Sequence, residues 1–236
     1  MDDSFQPGAL LNAASSSGEA AEEIGNEEED EELITPAEVL LKMKRAWQNE
    51  AAAPCILPHQ YEILEILVDQ IDGMDENLAR VKDKTQLKVS IHRAELQRIN
   101  YLTSDYMRIR LKKIEGNVRR IMTQHNERLR QGKPPLLSEQ ELRFAEKYAK
   151  AEAQLLGKSV LGFLPTPVQK IPHPEEDADL SSVYLQVLED NVENVPLPDY
   201  TDPTAEIIVS LERDSIHLIP FAPIRDHLEN DRVRLL

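Results

Sequence analysis

Six histidines and one cysteine are the side chains best suited to metal binding or nucleophilic chemistry, but their context favours neither use. The histidines form no His-Glu-x-x-His pattern, and the single Cys55 rules out an internal disulfide framework. The sequence also has no Gly-x-Ser-x-Gly elbow and no glycine-rich phosphate loop. We therefore expect no catalytic residue, no bound metal and no cofactor.

Basic side chains are concentrated between residues 108 and 133, where the only acidic residues are Glu115 and Glu127. One interpretation is a nucleic-acid-facing surface, because clustered Lys and Arg attract phosphates. The other is the polar side of a packed helix that pairs with acidic neighbours. Few aromatic residues that could stack on bases lie nearby. The candidate nucleic-acid-facing residues are Arg108, Arg110, Lys112, Lys113, Arg119 and Arg120.

The element that must position these residues is a long helix predicted for residues 84–131. Apolar residues recur there every three or four positions, and the stretch contains no proline. One unbroken helix of this length would be about 70 Å long. Three other helices in the same chain are too few to cover it, so we expect partner helices from other chains. Whether the helix continues through Gly116 stays open.

Capping signals predict where the neighbouring helices begin. Thr35 and Glu38 form one capping box, and Ser138 and Glu141 form a second. A further helix is predicted between them, from about His59 to Lys82. Together with the long helix, these elements define a helical domain at 35–164.

The two ends of this helical domain are flanked by segments of different composition. Residues 1–34 contain eleven acidic and no basic side chains, so they supply most of the net charge of −16. Their low apolar content predicts a disordered acidic tail. Residues 165–182 contain four prolines and an acidic cluster, which predict a linker.

Beyond the linker, the periodicity changes from helical to alternating. Strands are predicted near 183–188, 207–211 and 215–220, with a tight turn at 213–214 and a last strand at 232–236. This predicts a small β-rich domain at 183–236. The expected fold class is therefore mainly α, with an N-terminal helical bundle domain followed by a small β-rich C-terminal domain.

No apolar run is long enough to span a bilayer, and the N-terminus lacks the features of a secretory signal, so we expect no membrane contact. The expectation is an intracellular protein, in the cytosol or the nucleus.

Three segments, taken together, resemble one protein family. The first lies within the long helix and comprises residues 98–102 and 106–115. The second is the run 137–145, and the third is the tail at 217–220 and 232–236. In this combination they resemble the Sld-five family of subunits of the GINS replication complex. The resemblance extends over residues 35–236.

The resemblance implies a non-enzymatic structural subunit of a nuclear heterotetramer with three other GINS subunits. It further implies association with the MCM hexamer and another helicase cofactor in the replicative helicase, during initiation and elongation of DNA replication. In this family the N-terminal tail can engage a replisome adaptor through an acidic-aliphatic motif. Here the tail has Asp2 and Asp3 before Leu10 and Leu11, with Pro7 and Gly8 between the two pairs.

Two sets of apolar residues are predicted to carry the assembly. The first should form the helical core or the partner interface: Leu102, Tyr106, Leu111, Ile114, Phe144 and Tyr148. The second should anchor the β domain: Leu218, Ile219, Leu235 and Leu236. The alternative function is a nucleic-acid-binding helical protein that uses the basic face of residues 108–133.

Overall fold

The structure, a computed structural model, describes residues 35–82, 86–169, 181–190, 192–198 and 206–236. The predicted acidic tail, with its adaptor motif, and residues 170–180 of the predicted linker lie outside these ranges. Within them, a helical region is followed by a small β-rich region, which confirms the predicted fold class.

The helical region contains α1 (Pro36–Ala52), α2 (Tyr61–Arg80), α3 (Leu87–Gly116), α4 (Val118–Arg130) and α5 (Glu139–Ser159). Two short 3-10 turns, Leu161–Phe163 and Thr166–Val168, follow α5. Both predicted capping boxes are confirmed. The Ser138 hydroxyl accepts a hydrogen bond from the Glu141 N–H, and the Glu141 carboxylate accepts one from the Ser138 N–H. Thr35 and Glu38 make the same exchange at the start of α1.

The long helix predicted for residues 84–131 does not continue through Gly116, the point that the sequence left open, because the structure divides this stretch into α3 and α4. The chain leaves helical geometry at Asn117, which has φ −150° and ψ 55°. Glycine has low helix propensity and asparagine is favoured at helix starts, so Gly116 followed by Asn117 is a suitable place for a break. The 30 residues of α3 correspond to a helix about 45 Å long.

The chain divides into two compact units. Of the described residues, those up to Arg45 and within Glu62–Asn100 form the first unit, and those within Ala46–Tyr61 and Tyr101–Leu236 form the second. In the first unit, Leu78 of α2 packs with Val89 and Leu96 of α3. This cluster follows the three- and four-residue spacing that the sequence shows.

In the second unit, a helical core joins the end of α3 to α4 and α5. Its buried members are Ile56, Ile114, Val118, Ile121, Leu136, Leu137 and Ala145. Gly132 follows α4 with φ 69°, a left-handed conformation that glycine adopts without strain. The Lys133 N–H donates to the Arg128 carbonyl across this end, so the turn satisfies a free carbonyl of the helix.

The β-rich region contains five strands and one short helix: β1 (Ser182–Val187), β2 (Val192–Pro198), β3 (Glu206–Leu211), β4 (Ile216–Pro220), α6 (Arg225–Glu229) and β5 (Val233–Leu235). A 3-10 turn at Ala222–Ile224 precedes α6. The strands form two antiparallel sheets, one in the order β4-β1-β5 and one made of β2 and β3. Val183, Leu185 and Val187 of β1 alternate inward, as predicted for a strand with one buried face.

The strand pairing differs from the sequence prediction in two respects. The tight turn predicted at 213–214 implies that 215–220 pairs with 207–211, which is wrong, because β4 pairs with β1 while β3 pairs with β2. Strand β2 was not predicted, since its two prolines are typical of loops. Asp214, with φ 60°, turns the chain from one sheet into the other.

Candidate interaction site

The most densely bonded polar group in the described residues is the guanidinium of Arg110 on α3, whose side chain is 0% exposed. Its Nε and one Nη donate to the two carboxylate oxygens of Glu141, at 2.7 and 2.9 Å. The same Nη also donates to the Leu136 carbonyl at 2.7 Å. The other Nη donates to the Glu50 carboxylate at 3.0 Å and to the Leu57 carbonyl at 2.9 Å. All five N–H donors of an arginine are therefore used.

Lys113, one turn after Arg110, completes the charge balance of this group. Its ammonium donates to the second carboxylate oxygen of Glu50 at 2.8 Å and to the Cys55 carbonyl at 2.8 Å. Two cations then face two carboxylates, so the cluster is formally neutral. We call Arg110, Lys113, Glu50 and Glu141 the Arg110 cluster.

The pKa values of Arg110 and Glu141 agree with their pairing. Burial alone would raise the pKa of Glu141, but the hydrogen bonds and charge of Arg110 lower it below its usual value. Burial opposes the charge of Arg110, but Glu141 and its other partners raise its pKa above the usual value. Arg110 and Glu141 therefore both stay ionised around neutral pH.

Two polar side chains lie next to the Arg110 cluster. The Tyr106 ring centroid is 5.6 Å from the Arg110 guanidinium, and its hydroxyl accepts from the Gln60 N–H at 3.3 Å. Burial raises the pKa of Tyr106 to about 12. His125 is buried, and its Nδ1 accepts from the Leu137 N–H at 3.2 Å. Burial, together with the charge of His59, lowers the pKa of His125.

The Arg110 cluster corrects part of the nucleic-acid prediction. Arg110 is wholly enclosed, and Lys113 points into the protein, so neither side chain can face a phosphate in the folded chain. Arg119 is half-buried and lies 3.6 Å from Glu152, and Arg120 is also half-buried. Arg108 and Lys112 are exposed, and their contact with nucleic acid stays a prediction.

The predicted partner-interface residues occupy different positions. Tyr106 and Ile114 are buried within this chain, so they belong to its own core and are not available to a partner. Leu102, Leu111, Phe144 and Tyr148 are half-buried. The last three pack beside the core at Ile114, and the rings of Phe144 and Tyr148 stack with centroids 6.0 Å apart. A contact of these half-buried residues with a partner stays a prediction.

The predicted anchors of the β domain divide in the same way. Ile219 and Leu235 are buried in the small core, but Leu218 is 56% and Leu236 49% exposed on the outer sheet face. Leu218 and Leu236 therefore lie outside the small core, because side chains alternate between the two faces of a sheet, and an anchoring role for them stays a prediction.

The contacts that attach the β-rich region to the helical part of the second unit were not predicted. Ala53 and Leu57 share a core with Phe221, Ile224 and Leu228. The buried Asn49 side chain accepts a hydrogen bond from the Leu235 N–H at 2.9 Å. Arg128 pairs with Glu229 through two bonds of 2.8 Å. No spacing in the sequence identifies these pairs, which join residues up to 186 positions apart.

Several large apolar side chains of the first unit face solvent. Leu87 at the start of α3 is 76% exposed, and Ile91 lies one turn later on the same side of the helix. Leu41 of α1 and Ile66 and Val68 of α2 are also exposed. We call these five residues the exposed apolar set.

Neither a metal site nor a membrane helix is found in the described ranges. No group of three or more His, Cys, Asp or Glu side chains there is arranged to hold a metal ion. No helix in the same ranges has the length and apolar character needed to cross a bilayer.

Comparison with known proteins gives one consistent family. Residues 21–160 match the GINS complex protein helical bundle domain, and residues 181–236 match the DNA replication complex GINS protein SLD5 C-terminus. The chain is 36% identical to the DNA replication complex GINS protein SLD5 of Homo sapiens over 211 residues, which cover 88% of this chain and 93% of that protein. The proteins of the same name from Xenopus laevis and Arabidopsis thaliana are 35% and 27% identical, over 89% and 91% of this chain and 95% and 98% of theirs. The chain therefore belongs to the SLD5 family of GINS proteins of DNA replication.

Proposed function

We propose that the chain is a non-enzymatic structural subunit of the GINS heterotetramer in the nucleus. It assembles with three other GINS subunits and, through that complex, with the MCM hexamer and a further cofactor of the replicative helicase. In this role it acts in initiation and elongation of DNA replication. Membership of the SLD5 family supports the proposal.

The observation that carries the proposal is the exposed apolar set. Isolated exposed apolar residues are common in soluble proteins, but large apolar side chains that adjoin on one helix face, as Leu87 and Ile91 do, are typical of a protein–protein contact. Leu87 and Ile91 follow each other at helical spacing, so one partner helix can cover both. We therefore assign the subunit contact to this set rather than to the buried Tyr106 and Ile114.

The Arg110 cluster supports a non-enzymatic role. A catalytic group usually has an open bonding position and a pKa suited to proton transfer near neutral pH. Arg110 has neither, because every donor is used and its pKa is raised. The cluster is therefore better suited to holding segments together than to acting on a substrate.

The proposal is tested by co-expression with the three other GINS subunits and purification through a tag on one of them. We expect the double variant Leu87→Asp/Ile91→Asp to be lost from the purified complex, because two charges would have to be buried against the partner. Ser90→Asp is the matched control, since Ser90 is exposed on the same turn of α3.

The control should co-purify like the unchanged chain. Normal recovery of Leu87→Asp/Ile91→Asp would contradict the assignment of the contact. Failure of the unchanged chain to co-purify with any of the other subunits would contradict the proposed function itself.

A further inference from the structure

The two outer edges of the β2–β3 sheet differ in their capacity to accept another strand. Strand β2 contains Pro196 and Pro198, which lie opposite Ile208 and Glu206 of β3. Proline has no N–H, so the bonds between β2 and β3 run through the alternate pairs, Val195–Val209 and Leu197–Ile207. The positions that would offer donors at the outer edge of β2 are therefore occupied by proline.

The same register leaves the outer edge of β3 open. In an antiparallel pair, residues that do not bond to each other direct their N–H and C=O groups away from the partner strand. Ile208 is such a residue, so its N–H and C=O point to the edge opposite β2. Among the residues that the structure describes, β3 pairs only with β2.

The side chains of β3 do not protect this edge. Natural edge strands are usually blocked by proline, by lysine or by a covering segment. The β3 sequence between Glu206 and Leu211 contains neither proline nor lysine. Ile208 is 69% exposed and Ile207 is 50% exposed, so apolar side chains flank the open backbone groups.

We propose that the free edge of β3 binds an extended segment of a partner protein by strand addition. The backbone of the segment would bond to Ile208, and apolar side chains on its two faces would lie beside Ile207 on one face and Ile208 on the other. This inference goes beyond the proposed subunit role, because the helices of the first unit are not involved.

Charge identifies the kind of segment. The stretch 206–212 begins and ends with glutamate and contains no basic residue, so basic residues should flank the apolar part of the segment. A second copy of this chain is disfavoured as the occupant, since its own β3 stretch begins and ends with the same glutamates and like charges would face each other. The predicted occupant is therefore an apolar strand with lysine or arginine at its ends.

The probe for the test is a fluorescent peptide of alternating Thr and Val residues with paired lysines at each end. Its binding is measured by anisotropy to the full chain and to the co-purified complex. We expect saturable binding to both. Methylation of the peptide nitrogens on the edge that faces β3 should weaken binding at least about tenfold, because strand addition requires those donors.

Two variants of Ile208 distinguish the contribution of its backbone N–H to peptide binding from that of its side chain. Ile208→Pro removes the outward N–H without touching the bonds to β2, so we expect an at least about tenfold loss of peptide binding with a retained circular dichroism spectrum. Ile208→Thr keeps the N–H and should bind within about threefold of the unchanged chain.

If Ile208→Pro does not fold, Ile208→Lys serves instead, because an edge lysine opposes strand addition without changing the backbone. Absence of peptide binding by the unchanged chain, or equal binding by Ile208→Pro or Ile208→Lys, would overturn the proposal. Sedimentation equilibrium tests whether the occupant is a second copy of the chain. If the free chain dimerises and Ile208→Pro abolishes the dimer, the choice of a segment from a partner protein would be overturned.

Discussion

Arg110 connects four separate segments of the second unit. Its acceptors lie at the end of α1, in the loop after α1, in the loop before α5 and in the first turn of α5. Burying a charge lowers the stability of a protein unless the charge is paired. Removing one partner of a buried pair is strongly destabilising, because the other charge is then left buried and uncompensated. The cluster therefore makes these segments depend on one side chain.

Replacement of Arg110 by an apolar residue of similar length tests this dependence. We expect Arg110→Met to lower the free energy of unfolding by about 3–5 kcal/mol, because Glu141 would remain buried without its cation and Glu50 would keep only Lys113. Urea unfolding measures the change. The exposed Arg108→Met, on the same helix, should stay within about 0.5 kcal/mol of the unchanged chain. If Arg110→Met lowered the free energy of unfolding as little as Arg108→Met does, the Arg110 cluster would contribute little to stability.

A second prediction at this scale concerns pH. Burial first, then the charge of His59, lowers the pKa of His125 below the ordinary 6.5 in the folded state. The unfolded chain then binds more protons, so the stability from neutral His125 is present above about pH 6.5 and is lost as pH falls towards the folded pKa. Glu141 adds a similar loss below its ordinary 4.5, because its folded pKa is also lowered.

We therefore expect the chain to be less stable at pH 5.5 than at pH 7.5, as measured by thermal unfolding. His125→Asn keeps an acceptor for the Leu137 N–H but does not titrate, so it should reduce this difference. An unchanged pH dependence in His125→Asn would assign the effect to other groups.

At the scale of elements, the β-rich region packs against the end of α1 and the loop that follows it. Asn49, Ala53 and Leu57 all contact it within about two turns of chain. The alternating apolar pattern beyond the linker predicts strands, but not the surface on which they rest. That surface is formed by the last turn of α1 and the loop that follows it.

The bond from the Leu235 N–H to Asn49 tests this docking. Asn49→Ala leaves a buried N–H without its acceptor, which we expect to cost about 1–3 kcal/mol. Hydrogen exchange followed by mass spectrometry should show faster exchange in β1 and β5 than in the unchanged chain. Gln48→Ala, one residue earlier on α1, should leave that exchange unaltered. Equal exchange in the two variants would mean that Asn49 does not secure the small region.

At the scale of the whole molecule, two kinds of surface suggest different partners. The exposed apolar set suits another protein subunit, whereas exposed Arg108 and Lys112 suit a phosphate. Salt distinguishes them, because apolar contacts persist at high ionic strength and phosphate contacts weaken steeply. We expect co-purification with the other GINS subunits to survive a wash at about 1 M salt. Loss of the complex in that wash would favour a contact made by charges.

The fold class and the helix starts could be predicted because they depend on local signals. Apolar spacing, the two capping boxes and the alternation in β1 act over a few residues, and all three are present in the structure. Strand β2 was missed because Pro196 and Pro198 contradict the local signal of a strand. The two prolines are tolerated because their backbone nitrogens face the outer edge of β2, where no strand among the described residues needs an N–H donor.

The basic stretch of α3 marks the limit of what the sequence determined. It established that Arg108, Arg110 and Lys112 follow one another on a helix, but it gave the same local description to all three. Only the tertiary structure enclosed Arg110 and left Arg108 exposed. The reason is physical: the carboxylates that pay for burying Arg110 lie 31 and 60 residues away, and no local spacing can show that folding brings them to it.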